Sequence, residues 1–377
     1  MTASAAQLQP LGDVVEFLDS RRKPVKASER IPGPYPYYGA NGQQGTINDF
    51  IFDEPLVLLA EDGGHFFNPA RGIAYKISGK TWVNNHAHVL KPKNGLDIDY
   101  LCLVLKSMDV TKHLTGSTRA KLTKAGASRI LVPVPAIDQQ KRIATILDAA
   151  NTLRAKRRET LTQLDTLLQS TFLEMFGDPV TNPKEWEIVA FSEIGSSRLG
   201  KMLDKGKEQG AQQFPYLANF NVQWGRFDLS KLRTMEMSSS DRVEFSLQSG
   251  DLLICEGGEV GRTAIWRDEM ENVFFQKALH RVRVNPEKVT AEYIQHYMWF
   301  MAKNGGFRDF TNSATIAHLT GVKLKGLPVP LPPLELQKRF NTIVQSIEQQ
   351  KSRLRTHLDE LDTLFASLQA RAFAGEL

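Results

Sequence analysis

The chain repeats itself. Displacing the sequence by 197 residues brings PVPAIDQQKRIATI (133–146) over PLPPLELQKRFNTI (330–343), and LTQLDTLLQS (161–170) over LDELDTLFAS (358–367). From 133 to 176 no gap is needed, and 15 of 44 positions are identical, so the repeat reflects a duplicated architecture. Each copy has one grammar. A proline-rich stretch comes first, which forbids helix and favours extended chain. An acidic residue suited to a helix start follows, Asp138 or Glu335, then Gln-Lys-Arg, then a long helical pattern.

The helical pattern carries an apolar seam. In the first copy the seam falls at Ile143, Ile146, Ala150, Leu153, Leu161, Leu164 and Leu168. In the second it falls at Phe340, Ile343, Ile347, Leu354, Leu358, Leu361 and Phe365. Steps of three and four dominate, the spacing of a coiled coil, with Arg157 and Gln350 interrupting it once in each copy. A helix of about 40 residues is roughly 60 Å long and cannot bury such a stripe alone. The economical arrangement pairs the two copies with each other, in the shallow crossing typical of coiled coils. The other arrangement, each helix packed on its own globule, stays open at this point.

A segment of different texture precedes each long helix. PLVLLA (55–60), GIAYKI (72–77), DLLIC (251–255) and TAIW (263–266) read as strands. GANGQQG (39–45), EDGG (61–64) and CEGGEVG (255–261) read as turns. DYLCLVLKS (99–107) and EYIQHYMWF (292–300) read as helices. The two segments match in position and share few residues: Leu11-Gly-Asp-Val against Phe191-Ser-Glu-Ile, and Lys121-Leu-Thr against His318-Leu-Thr. The expected fold class is α+β, with mixed α/β globules over 1–135 and 181–332. Two long coiled-coil helices, 136–180 and 333–377, complete a pseudo-two-fold repeat. A chain that repeats its scaffold while its globules diverge suits one framework carrying two different recognition surfaces.

Composition sets outer limits. With 41% hydrophobic and 24% charged residues the chain supports packed cores, and its net charge of +5 is compatible with nucleic acid without requiring it. Two distant cysteines, Cys102 and Cys255, argue against a disulfide framework or a zinc ribbon and fit a reducing compartment. The N-terminal residues lack the pattern of a signal peptide, and no apolar run reaches membrane-spanning length, so a cytoplasmic location is expected.

PYYGANGQQG (36–45), LLAEDGG (58–64), WVNNHAHVL (82–90) and GDLLICEGGEVGRTAI (250–265) resemble the target recognition domains of type I restriction-modification specificity subunits, the HsdS family. The PVPAIDQQKRIA and PLPPLELQKRF segments resemble the entries to that family's spacer helices. The resemblance covers essentially the whole chain. It implies two target recognition domains, each reading one half of a split double-stranded DNA sequence, and an antiparallel helix pair that fixes the gap. It also implies recruitment of two methyltransferase subunits, which bind S-adenosylmethionine, and of restriction subunits, which use ATP and Mg²⁺. No catalytic site, cofactor or metal is then expected in this chain.

Signals for chemistry are weak. GSSRLGKM (195–202) approaches a P-loop, but Met202 stands where the Mg²⁺-binding hydroxyl belongs, and AYKISGKT (74–81) has Ala74 for the first glycine. His86 and His88 are spaced to share a strand face, as metal ligands can, yet no third ligand lies nearby in sequence. Core packing, hydrogen bonding and DNA contact remain open for them. Neither a methyltransferase tetrapeptide for a flipped base nor a nuclease carboxylate cluster occurs.

Base edges and phosphates are met by Arg, Lys, Asn, Gln, Ser and Thr. The first-globule candidates are Tyr38, Asn41, Gln43, Gln44, Arg71, Asn84, Asn85, Thr118, Arg119, Lys121 and Lys124. In the second globule they are Arg198, Lys201, Lys205, Asn219, Asn221, Gln223, Arg226, Arg262, Gln276, Lys277, Arg281, Asn312, Ser313 and Thr315. KHLTGSTRAKLTK (112–124) interleaves cations with small polar residues most densely. Arg154, Lys156, Arg157 and Arg158 form either a phosphate track or a solvated helix face. Two other functional classes stay open, a free-standing DNA-binding protein and a coiled-coil scaffold without a DNA role. A fused methyltransferase or nuclease is the enzymatic alternative.

Overall fold

The computed structural model describes residues 7–68, 71–116, 119–202, 212–310, 318–374 and 376. The chain divides into two compact units, Met1–Arg158 with Thr356–Leu377, and Glu159–Arg355. Each unit holds one α/β globule together with parts of both long helices, Ile137–Phe176 and Leu334–Ala374.

In the first unit a four-stranded antiparallel sheet runs in the order Val15–Phe17, Ala87–Pro92, Leu56–Ala60, Ala74–Ile77. Its centre, Leu56–Ala60, is buried along its whole length because both faces are covered. The two-residue period of a strand then sorts its side chains. Val57 and Leu59 join the core that packs under the helix Ile98–Ser107, while Leu56 and Leu58 enter a second cluster with Phe52, Val83 and Val89. A second sheet orders Gly42–Ile47, Tyr35–Gly39, Lys80–Val83 and Phe52–Asp53, and its two middle strands are parallel. Gln7–Pro10 pairs with Leu131–Val134, so the proline-rich stretch is extended, as its residues require.

The second unit repeats this plan. Its four-stranded sheet runs Gly195–Leu199, Leu279–Val284, Leu252–Cys255, Thr263–Ile265. Leu252 and Ile254 face the core beneath the helix Ala291–Lys303, and Leu253 and Cys255 face the other cluster. The second sheet again contains a parallel pair, Gln213–Leu217 with Phe274–Phe275. Ile188–Ala190 pairs with Pro328–Pro330 as its counterpart does in the first unit. The globules therefore share a topology that the few matching residues only hinted at, because one β pattern accepts many apolar side chains.

The two helices run antiparallel within each unit. In the first, Arg154 grips Asp362 and its guanidinium lies 4.3 Å from the Phe365 ring centroid. In the second, Lys351 lies 2.6 Å from Asp165, and Phe172 packs edge-on against Phe340. The seam corrects the sequence reading at two places. Leu153 is 54% exposed, and Arg154 takes the inward position, while Leu147 and Phe172 are fully buried. In the second helix Gln350 faces out and Lys351, 7% exposed, is the polar interruption. One residue is about 100° of helix rotation, which separates a seam position from its neighbour. Ile143, Leu168, Phe340 and Ile347 are buried as expected. Ile146, Leu161, Leu164, Ile343, Leu354, Leu358, Leu361 and Phe365 are half-buried, as a two-helix seam leaves its edges.

Each helix start is tied to its globule by the glutamine of the Gln-Lys-Arg motif. Gln140 is fully buried. Its Oε1 accepts from the Asp97 backbone N–H at 2.8 Å, and its Nε2 donates to the carbonyls of Pro135 and Gly95 at 2.8 and 2.9 Å. Gln337 does the same with the Thr290 N–H at 2.9 Å and the carbonyls of Pro332 and Lys288 at 2.8 and 3.3 Å. Tyr100 and Tyr293 complete the joint, donating to the carbonyls of Pro133 and Pro330.

Candidate nucleic-acid interface

The loops at one end of the first globule enclose a cleft of roughly 620 Å³. Five of the residues selected from sequence line it: Asn41, Gln44, Asn84, Asn85 and Arg119. Asn41 sits in the turn after Tyr35–Gly39, and its Nδ2 donates to the Gly63 carbonyl at 2.9 Å, pinning that turn to the loop after Leu56–Ala60. A Cβ at Gly39 would stand 2.3 Å from the Gln44 amide, so any larger residue there would displace that side chain. Asn84 is buried and shapes the turn, accepting from the His86 N–H at 2.8 Å and donating to Gln44 Oε1 at 3.2 Å. Asn85, at the apex, is exposed.

Charge in the cleft is balanced. His86 Nδ1 lies 2.5 Å from Asp62, and Arg119 lies 3.4 Å from the same carboxylate. Arg30 stacks over the Tyr37 ring at 3.8 Å. Amide edges flanked by two arginines can meet base edges and phosphates at once, since each amide offers both a donor and an acceptor.

A buried cluster supports this wall from beneath. Arg22 donates to Glu61 at 2.6 Å and lies 3.5 Å from Asp19. His88 bridges Asp19 at 2.7 Å and the Leu122 carbonyl at 2.8 Å. Burial pushes the Asp19 carboxyl up, but the His88 bond and charge, the Val89 N–H and Arg22 together hold it below its ordinary value. Asp19, Glu61 and His88 have the spacing of metal ligands, yet Arg22 already supplies the positive charge among them. The two histidines do not share a site, because the strand begins at Ala87 and only His88 lies in it.

Other candidates fall elsewhere. Tyr38 is half-buried against Tyr75. Gln43 is exposed and folds its amide onto the Gly45 carbonyl, and Arg71 lies beside His65. Lys121 pairs with Glu61 at 3.0 Å, and Lys124 leans over Phe17, so the basic stretch is partly engaged by its own globule. Thr118 lies outside the described residues. On the first long helix Arg154 and Arg158 both hold Asp362, so two cations of that basic run are engaged by the other helix.

In the second unit three candidates work inside the fold. Asn221 is buried and caps its own turn, accepting from the Ala218 N–H and donating to the carbonyls of Asp228 and Lys231. Arg281 is buried and donates to the carbonyls of Glu244 and Ser246. Arg262 reaches the Asn219 carbonyl at 2.6 Å and Glu259 at 3.4 Å. These are corrections to a surface role: each polar head is taken up by backbone groups of its own globule. Arg198 pairs with Glu244 and Lys201 with Asp241. Gln223 donates to the Phe220 carbonyl. Asn219 and Gln276 are half-buried at the loop tips, while Arg226 and Lys277 are exposed. Lys205, Asn312, Ser313 and Thr315 lie outside the described residues.

Neither P-loop near miss is a strand-loop-helix. GSSRL forms the strand Gly195–Leu199, and AYKISGKT runs from the strand Ala74–Ile77 of one sheet into the strand Lys80–Val83 of the other. Among the described residues no helix is long and apolar enough to cross a membrane. Sequence reasoning missed Gln140 and Gln337 as joints, although their recurrence in both copies was visible. It also missed Arg30, whose place in the cleft depends on a fold-back no local pattern shows.

A profile of the type I restriction modification DNA specificity domain matches residues 6–163 and 183–361. A putative type I restriction enzyme specificity subunit of Haemophilus influenzae is 29% identical over 355 residues, covering 92% of this chain and 89% of that protein. The EcoDI specificity subunit of Escherichia coli is 23% identical, covering 97% and 87%. The fold matches the type I restriction-modification S subunit of M. genitalium with a TM-score of 0.65 at 13% identity, over 99% of this chain and 96% of that one. Two matched globules, each tied to a long helix by the same glutamine, and a family match across both copies lead to one conclusion: the chain belongs to the type I restriction-modification DNA specificity family.

Proposed function

We propose that this chain is the DNA sequence-specificity subunit of a type I restriction-modification complex. Each unit reads one half of a bipartite double-stranded target, and the helix pair sets the gap between the halves. Helices and globules together recruit two methyltransferase subunits and the restriction subunits. The chain performs no catalysis; S-adenosylmethionine, ATP and Mg²⁺ belong to its partners.

One observation carries this reading. A single β topology occurs twice, joined to equivalent helix starts through Gln140 and Gln337, while the apical loops bear different side chains. A constant scaffold with changed loop chemistry is what two unlike half-sites need.

The test is methylation mapping in cells expressing this chain with a methyltransferase subunit encoded beside it. Two short defined blocks around a fixed undefined gap are expected. An unmethylated genome in cells where the complex is assembled would overturn the reading. Purified chain that binds duplex DNA alone, more weakly as salt rises, would then favour a free-standing DNA-binding protein.

A further inference from the structure

The turn at the cleft edge in the first unit has a counterpart in the second. Asn84-Asn85-His86 leads into Ala87–Pro92, and Gln276-Lys277-Ala278 leads into Leu279–Val284. Their backbones are held by equivalent bonds. The Asn84 N–H donates to the Tyr38 carbonyl at 3.0 Å, and the Gln276 N–H to the Leu217 carbonyl at 3.1 Å. The carbonyls of His86 and Ala278 accept from the N–H groups of Glu61 and Glu256, at 2.8 and 3.0 Å. Three residues beyond Asn85 and Lys277, His88 and His280 donate through Nε2 to the carbonyls of Leu122 and Leu319. Those two leucine amides in turn donate to the carbonyls of Glu61 and Glu256.

Within this shared frame only the apex side chain of each turn is exposed, Asn84 being buried and His86, Gln276 and Ala278 half-buried. The Asn84 amide is bonded internally, His86 is bound by Asp62, and Ala278 carries no polar group. The apex residues differ from them. Asn85 and Lys277 are exposed, and among the described residues neither side chain has a hydrogen bond or ion pair. Each rigid turn thus presents one exposed and uncommitted polar side chain at the same structural position, with a different donor pattern in each unit.

Resting on the specificity reading above, we infer that Asn85 and Lys277 are paired base-discriminating positions. The carboxamide of Asn85 presents one donor and one acceptor, which fit the N7 and N6 edge of adenine in the major groove. The ammonium of Lys277 presents donors only, which fit O6 and N7 of guanine. Asn85 therefore selects adenine at one position of the first half-site, and Lys277 selects guanine at one position of the second.

The experiment is methylation mapping of Asn85→Lys and Lys277→Asn beside the wild type, each co-expressed with the methyltransferase subunit. The Asn85→Lys chain is expected to exchange adenine for guanine at one position of the first half-site, leaving the gap and second half-site unchanged. Lys277→Asn is expected to make the reverse exchange in the second half-site only. An intact second half-site reports that the Asn85 variant is folded. As an independent readout, Asn85→Ala in the assembled complex should lose about ten- to a hundred-fold in discrimination at that base pair, measured by competition between duplexes. Unchanged motifs in both exchange variants, or unchanged discrimination by Asn85→Ala, would overturn the inference while leaving the specificity reading intact. A wild-type motif that is not split would sink the specificity reading instead.

Discussion

Lys351 of the second long helix lies 2.6 Å from Asp165 of the first, and the same exchange recurs with the helices reversed, where Arg154 of the first holds Asp362 of the second. Arg154 and Lys351 are 197 residues apart, as are Asp165 and Asp362, so one duplicated contact has kept its sign in both places. Each places a cation in an apolar seam, where it favours one helix register over its neighbours.

The pair in the second unit can be tested by charge reversal. Asp165→Lys should destabilise that unit by about 1–2 kcal/mol, less than a fully buried pair because Asp165 is half exposed. Adding Lys351→Asp should recover part of the loss, the rest going to Glu348, which Lys351 also holds at 2.5 Å. Four of the five tryptophans, Trp186, Trp224, Trp266 and Trp299, lie in this unit, so denaturant titration followed by tryptophan fluorescence reports it. Absence of recovery in the double variant would show that the contact does not couple the helices.

The glutamine joints predict a local effect. Gln140→Ala leaves the Asp97 N–H and the Pro135 and Gly95 carbonyls without their buried partner, a cost of about 2–3 kcal/mol. Hydrogen exchange should show lost protection at Asp97 with Thr290 unaffected. Gln337→Ala should expose Thr290 and spare Asp97. Loss at both sites from either change would contradict two separate joints.

Acid should weaken the second unit before its carboxylates titrate. Burial holds the His280 imidazole below its ordinary value of 6.5, against the opposing bond to the Leu319 carbonyl. The unfolded chain takes up a proton at this residue that the folded unit refuses, so stability falls as pH drops below about 6.5. A single group contributes at most about 1.4 kcal/mol per pH unit. His280→Gln keeps an N–H donor and cannot titrate. Its unfolding free energy should be flatter between pH 6.5 and 5 (about one and a half units, chosen to avoid carboxylates). An unchanged slope would rule this residue out as the source.

Within the DNA target, the helices should govern the gap and not the half-sites. Deleting one heptad from each, at equivalent positions, shortens each by about 10 Å. The methylated motif should then change its gap and keep both half-sites. A change in either half-site would refute the division of labour between helices and globules.

Much of this architecture was legible in the residues because it depends on local periodicity. Steps of three and four produced two long helices, and the run PLVLLA produced a strand covered on both faces. Gln140 and Gln337 were visible as repeated letters, but their bonds reach Asp97 and Thr290, more than forty residues away. The candidate site was legible only as a composition of loops. Asn41, Gln44, Asn85 and Arg119 converge on one cleft because separate turns are brought together there.

The sequence by itself determined the duplication, the helix and strand texture, and the family likeness, since each is written in neighbouring residues. Only the tertiary structure decided which polar side chains remain available. Asn221 and Arg281 turn inward to satisfy backbone groups that folding buried, and Arg154 displaces Leu153 from the seam by one step of helix rotation. Asn85 and Lys277 stay outside because the bonds that hold their turns are made entirely by the backbone and by other residues. Exposure is a property of what packs against a residue, and those partners lie far along the chain.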